Sequence, residues 1–380
     1  MLLSLAKLTA HNHLIIMAIP SAARQIKDPK TRFNWRVSDF LRQTLVHVYE
    51  TRAKISGRGY YCGALVGDSE YGITINSDMT VSCSCQDYDG TGQLGDLKKN
   101  TFEEVFHGPV AKKFQAQLVS GKIPIPTCTR CGDLRRLTKE NPAPMPTRLP
   151  HKGMLLENTV ICNVDCIGCA RDSAAEIRSM KVMPLDKIAQ MADLAAALKM
   201  EQIFYLNLGE PFLSPRVAEE LPMLRQKNPD ARIVISSNAV LLNNDAKREA
   251  ALSVSQILFS VHGISDEMCE KYMRKSSFEK AHAAMRDMVK YRDAKGAKQP
   301  ILEWKYLLFN WNDHPKHLTR AIEMAKEIGV DIISFWPTNN PYYGKSWRNS
   351  LGLLNNFGEK CWKGREVILR PENVPTGERH

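Results

Sequence analysis

The chain has 380 residues, 43% hydrophobic and 24% charged, and its 52 basic against 41 acidic side chains give a net charge of +11. That length accommodates one large domain plus a smaller one with a real core, and no apolar run of about 18 residues exists to span a membrane. The basic residues are scattered, with no run of five; this is the pattern of a solvated surface rather than a nucleic-acid footprint, and an anionic substrate suits the excess.

Residues 1–60 form a basic, partly helical N-terminal extension. Its start is mildly apolar through Leu14-Ile15-Ile16-Met17, but His11, Asn12 and His13 interrupt the run and no small-residue cleavage site follows. Secretion is therefore not expected, and the cytoplasm is. Residues 61–140 are rich in Cys, Gly and Asp. Within them Ile73–Cys85 has the pattern of a hairpin ending in thiols, Thr101–Phe106 is helix-like, and Cys128-Thr129-Arg130-Cys131 closes the region. The Pro-rich Asn141–Pro146 is an extended connector.

From residue 150 to 340 strand and helix patterns alternate. Strands are expected at Met154–Val160, Ile203–Leu208, Ile233–Ser236, Ile257–Val261, Ile301–Leu308 and Ile332–Trp336. Helices are expected at Leu185–Met200, where Ile188, Met191, Leu194 and Leu198 share a face, and at Pro215–Asn228, Asn244–Ser253, Ser277–Lys295 and His314–Ile328. Six β-α units imply a parallel sheet covered by helices. A partial barrel and a doubly wound sheet give the same pattern, and both place the active site at the carboxyl ends of the strands. Residues 341–380 form a C-terminal extension whose Tyr342, Tyr343, Trp347 and Trp362 are candidates to cover the mouth.

Eight of the ten cysteines fall in two groups, Cys62–Cys131 and Cys162–Cys169. In a large chain without a secretion signal this points to metal or iron–sulfur ligation rather than disulfides. Cys269 and Cys361 lack neighbours in sequence and are expected to be buried structural thiols. The segment Cys162-Asn163-Val164-Asp165-Cys166-Ile167-Gly168-Cys169 follows the first strand with the spacing CxxxCxxC. Three thiolates so close can hold three corners of an iron–sulfur cube and leave the fourth iron open. A zinc site is the alternative, but no histidine follows closely to complete it.

A CxxxCxxC triad after the first strand of a β-α series resembles the radical S-adenosylmethionine superfamily. The resemblance implies a partial (β/α)6 TIM-type barrel and a four-iron, four-sulfur cluster whose open iron binds the amino and carboxylate groups of S-adenosyl-L-methionine. It implies reductive cleavage to methionine and a 5′-deoxyadenosyl radical that abstracts a substrate hydrogen, with flavodoxin or ferredoxin as reductant. Gly168 departs from the family, which usually has an aromatic residue there beside the adenine. Leu208-Gly209-Glu210-Pro211 is similar to the family's Gly-Gly-Glu-Pro motif, with Leu208 for the first Gly; its backbone oxygens and carboxylate would meet the methionine ammonium. Ser237 and Asn238 at the end of the third strand, and Ser260 at the end of the fourth, resemble the family's cofactor contacts. His262 is either substrate-facing or structural. On the fifth strand Trp304 and Tyr306 share one face and Lys305 takes the other; the aromatics are expected to pack in the core.

The run from Cys62 to Cys131 resembles the auxiliary-cluster SPASM domain or its shorter twitch form. The matching features are a lone Cys, a hairpin Cys, a Gly-Asp-Leu segment (Gly95-Asp96-Leu97) and a final CxxC, with Asp78 where the hairpin usually has Gly. The resemblance implies one auxiliary cluster on Cys62, Cys83, Cys128 and Cys131, with Cys85 an alternative or extra ligand; a zinc ribbon would use the same thiols. The domain precedes the barrel here, whereas in the family it usually follows. The expected function is hydrogen abstraction from a carbohydrate-derived or other small polar substrate, an oxidation or dehydrogenation. A peptide-modifying maturase is the alternative, and a non-catalytic iron–sulfur or zinc protein is a second one.

Overall fold

The computed structural model describes residues 29–85, 87–361 and 363–375; the apolar stretch around Leu14–Met17 and Trp362 lie outside the described residues. Helix α1 (Pro29–Ser56) leads into the Cys-rich module, with β1 (Tyr60–Cys62), β2 (Thr74–Ile75), β3 (Thr80–Ser82), β4 (Gln93–Asp96), α2 (Phe102–Phe106), α3 (Pro109–Val119) and β5 (Leu134–Arg136). Strands β2, β3 and β4 form the expected antiparallel hairpin and one further strand, while β1 pairs with β5 and joins the two ends of the module. At the hairpin turn Met79 takes the left-handed φ of +67°. The buried Asp78 carboxylate beside it accepts from Thr80 Oγ1 at 2.7 Å and from the Ser179 N–H at 3.0 Å. Asp78 thus does two tasks that a glycine would not: it closes the turn and ties it to the neighbouring core.

The core follows with β6 (Met154–Leu156), β7 (Asp165–Cys166), α4 (Arg171–Ile177), α5 (Leu185–Ala197), β8 (Gln202–Tyr205), α6 (Val217–Lys227), β9 (Arg232–Ser237), α7 (Asp245–Ala251), β10 (Gln256–Ser260), α8 (Asp266–Glu270), β11 (Met273–Arg274), α9 (Phe278–Ala294), β12 (Ile301–Leu308), α10 (Pro315–Ile328) and β13 (Ile332–Pro337). Strands β6, β8, β9, β10, β12 and β13 are all parallel and pair in chain order. No reversal of order occurs, so the sheet has no topological switch point of the doubly wound kind. The first strand is shorter than its apolar pattern suggests, because the chain leaves the sheet after Leu156 to build the cysteine loop.

Period-two alternation along the strands separates two environments. Ile203, Tyr205, Ile233, Ile235, Ile257, Phe259, Trp304, Tyr306, Ile333 and Phe335 pack into one cluster with Ile188, Met191, Leu221, Leu224, Met285 and Leu318 of the helices. Leu155, Phe204 and Val234 form a separate small cluster on the opposite face. Helices therefore cover one side, and the sheet curls around the other as a partial barrel whose lumen is lined by the alternate residues. The sheet also extends past the six strands. Strand β2 of the Cys-rich module runs parallel to β6, with Thr74 opposite Leu155 and Ile75 opposite Leu156. After α11 (Trp347–Ser350), β14 (Glu359–Lys360) and β15 (Arg365–Ile368) form a hairpin that adds antiparallel to β13. Cys269 and Cys361 are buried, as expected. Among the described residues no helix is long and apolar enough to cross a membrane.

One buried ion pair pins the last two strands. Arg292 on α9 and Asp331 before β13 are both fully buried. The Asp331 carboxylate also accepts the Leu302 N–H at 2.7 Å and Asn373 Nδ2 at 2.7 Å. Removing the cation strands a charge in the core. Arg292→Met is expected to cost about 3–5 kcal/mol in urea unfolding, whereas Arg320→Met, which removes an exposed helix ion pair, is expected to leave the midpoint unmoved.

Candidate active site at the strand ends

The cysteine loop leaves β6 and is held at both ends by backbone. Its middle forms the short strand β7, which pairs antiparallel with β11, Cys166 opposite Met273 and Asp165 opposite Arg274. The Ile167 N–H donates to the Tyr272 carbonyl at 2.9 Å, and the Cys169 N–H to the Cys166 carbonyl at 3.1 Å. Arg171 Nη1 donates to the Val164 carbonyl at 2.6 Å, so the loop's own side chain gathers its turns. All three cysteines are half-buried.

Their electrostatics fit a cationic cluster. Burial pushes each thiol up, Cys169 to about 11, and Cys162 and Cys169 each raise Cys166 further. Thiols raised in this way resist ionising by themselves, and metal coordination is what deprotonates such a set. Among the described residues no group of three or more His, Cys, Asp or Glu is drawn together as the ligands of a single metal ion.

The Gly-Glu-Pro turn after β8 fits against this loop. A Cβ on Gly209 would lie 1.9 Å from the Thr159 carbonyl oxygen, so only glycine permits the approach. The Glu210 N–H donates to the Ile161 carbonyl at 2.8 Å. The Glu210 carboxylate is buried and accepts from Ser237 Oγ at 2.8 Å, the Asn238 N–H at 2.8 Å and the Phe212 N–H at 3.2 Å. It is thus a brace between β8 and β9, and Ser237 is the other half of that brace. Pro211 is buried and opens a single helical turn. Asn238 turns toward the triad: its Nδ2 donates to Asn163 Oδ1 at 2.9 Å and lies 3.9 Å from Cys162 Sγ. Ser260 sits in the lumen, its hydroxyl 3.0 Å from that of Ser236. Period-two spacing on β9 and β10 carried the signal for Ser236.

Tyr272 was not visible in the sequence pattern. A side chain at Gly168 would begin 2.9 Å from the Asn340 carbonyl and 3.1 Å from the Tyr272 ring. The Tyr272 ring lies beside Gly168 from another segment, tilted against Phe309 with centroids 4.6 Å apart and against His262 at 5.7 Å. His262 is buried and accepts the Leu307 N–H on Nδ1 at 3.2 Å. Burial, with Lys305 adding to it, pushes its pKa down to about 3. It is a neutral, hydrogen-bonded part of the wall.

The second cysteine set encloses a small cavity. Cys62, Cys83, Cys128 and Cys131 line it with Leu118, Ile125 and Leu134. Burial raises all four thiols, Cys131 to about 11. Cys85 packs against Leu155, Phe204 and Val234 on the lumen side, near enough to Cys131 to help push that thiol up.

Two parts of the chain match family models. Residues 156–294 match the radical SAM superfamily, and residues 62–132 match SPASM, an iron–sulfur cluster-binding domain. A probable GTP 3′,8-cyclase from Aeropyrum pernix is 23% identical over 189 residues, 48% of this chain and 50% of that protein. The chain thus spans about half the length of this curated relative. Among solved structures, anSMEcpe with bound AdoMet aligns over 48% of this chain and 50% of its own at 17% identity and a TM-score of 0.37. Coproporphyrinogen III oxidase from Escherichia coli, titled a radical SAM enzyme, aligns over 50% and 48% at 13% identity and a TM-score of 0.34.

Two outcomes follow from this geometry. Gly209→Ala is expected to push the turn off the cysteine loop and lower reconstituted iron by about half, read by iron analysis. His262 has its neutral form favoured on folding, so its contribution is complete above about pH 6.5 and is lost as pH falls toward 3. Between about pH 6.5 and pH 5 the wild type is expected to lose about 2 kcal/mol more in urea unfolding than His262→Asn.

Proposed function

We propose that this chain, a member of the radical S-adenosylmethionine superfamily with a SPASM domain ahead of its core, oxidises a carbohydrate-derived or other small polar substrate by hydrogen abstraction. The observation that carries the reading is the half-buried three-cysteine loop fixed against Gly209 and Asn238 at the strand ends. Cys162, Cys166 and Cys169 would hold a four-iron, four-sulfur cluster with one iron open to S-adenosyl-L-methionine. When bound, that pair supplies one-electron cleavage of the sulfonium to methionine and a 5′-deoxyadenosyl radical that takes a substrate hydrogen.

The chain's own residues orient and enclose. The backbone oxygens beside Gly209 would accept from the methionine ammonium, since the Glu210 carboxylate is already committed to β9. Asn238 would stand at the cofactor's polar end. The Tyr272 ring offers the flat surface for adenine that Gly168 does not. Cys62, Cys83, Cys128 and Cys131 would hold a second cluster, an acceptor for the electron that an oxidation must release. An external reductant such as flavodoxin or ferredoxin would recharge the first site. The Aeropyrum pernix relative is named as a cyclase, so the oxidation rests on this second thiol set.

Anaerobic reconstitution is expected to give about eight iron per chain. With dithionite the wild type should release 5′-deoxyadenosine, and Cys166→Ala should release none. Cys128→Ala with Cys131→Ala should keep about four iron and the uncoupled release while losing product. A panel of nucleotide sugars and peptides, scored for stimulated 5′-deoxyadenosine, tests the substrate class; stimulation by peptides alone would contradict it.

A further inference from the structure

We infer that this chain pairs with a second copy of itself through the outer face of helix α1, the two helices running antiparallel about a twofold axis at Thr44.

Helix α1 is 28 residues long, about 42 Å at a rise of about 1.5 Å per residue. Its inner side is committed to the body of the protein. The Arg42 guanidinium lies 5.3 Å from the centre of the Tyr88 ring, and Tyr88 packs with Val160 and Ala170 beside the cysteine loop. Further along, Val46, Tyr49 and Ala53 pack with Tyr60 and Leu118 of the Cys-rich module. The opposite side holds large apolar side chains in water: Phe33 is 69% exposed, Phe40 65%, Val48 54% and Ile55 83%. They are spaced seven, eight and seven residues apart. At about 100° per residue they share an arc of about 80°, with Thr44 at its middle. Single exposed apolar side chains are ordinary, but four on one line of one helix form a patch.

The spacing reads the same in both directions. Phe33 and Ile55 are each eleven residues from Thr44, and Phe40 and Val48 are each four. A twofold axis at Thr44 therefore sets Phe40 of one copy against Val48 of the other, and Phe33 against Ile55, so that every contact is made twice. Shape follows the same symmetry. The C-terminal half of the stripe borders a groove of about 500 Å³ whose walls include Thr44, Val48, Thr51, Ile55 and Arg136. The N-terminal half carries the two phenyl rings. Each copy offers rings where the other offers the groove, which is the self-complementarity a twofold interface requires. The groove's volume falls within the range of about 300–1,000 Å³ that takes whole organic molecules, so both rings fit. The four side chains expose roughly 500 Å² per copy, toward the upper end of what a monomer leaves in one patch. Pairing buries roughly 1,000 Å² in total, the level at which an interface becomes specific.

Sedimentation of the anaerobically reconstituted full chain between about 1 and 100 μM tests the pairing. With an interface of that size the wild type is expected to dimerise with a Kd of about 1–10 μM. Phe40→Lys and Val48→Glu alter exposed positions, so neither burdens folding, and each alone is expected to weaken dimerisation by about thirtyfold or more. Mixed in equal amounts, the two variants are expected to pair with each other, because across the axis the mixed dimer has one lysine–glutamate contact and one native Phe–Val contact. Lys290→Glu, at an exposed lysine on α9, should match the wild type. A wild type that is monomeric at every concentration overturns the proposal and leaves the stripe to residues 1–28 or to a different protein. Dimerisation that Phe40→Lys does not weaken overturns it as well. A mixture of the two variants that stays monomeric overturns the antiparallel twofold register.

Discussion

The contact between the Gly209 backbone and the Thr159 carbonyl carries the architecture of the site. It sets the cysteine loop on the turn after β8 at a separation that excludes even a methyl group. From there Glu210 extends the connection to Ser237 and Asn238, so the ends of β6, β8 and β9 are one braced unit. The buried carboxylate is held by three donors, which is what lets it remain in the interior. Burial pushes its pKa up against those donors. The triad is thereby fixed by the sheet and does not depend on its own short loop for position.

The early placement of the auxiliary domain has a simple topological basis. Strand β2 joins the sheet beside β6, the first strand of the barrel, while the C-terminal hairpin joins beside β13, the last. Both additions continue one sheet of eleven strands. A module that precedes the barrel in the chain can pair with its first strand at no cost in crossing connections. Asp78 reinforces this, since its carboxylate reaches the Ser179 backbone of the core.

The helices and strands of the core were legible because their period is simple. The β12 segment matches the apolar run residue for residue, and α9 and α10 lie within one residue of the expected ends. Strand β6 was overestimated because Thr159 and Val160 are buried for another reason, the support of the cysteine loop. The triad was visible from spacing, whereas the four cysteines of the second set, like the choice between barrel and open sheet, came with the family resemblance. Tyr272 was not visible, since it reaches the site from a segment distant in sequence. The role of Glu210 also needed coordinates. A carboxylate in a motif looks the same in sequence whether it faces a ligand or braces a strand.

The central claim is that the Cys162, Cys166 and Cys169 loop presents an iron able to take S-adenosyl-L-methionine as a ligand. Electron paramagnetic resonance of the dithionite-reduced, reconstituted chain, recorded before and after adding S-adenosyl-L-methionine, tests it most directly. The account predicts that the cofactor alters the spectrum of one cluster, and that Cys166→Ala, while keeping the signal of the other, shows no such change. An identical spectrum with and without the cofactor in a fully iron-loaded wild type would contradict it.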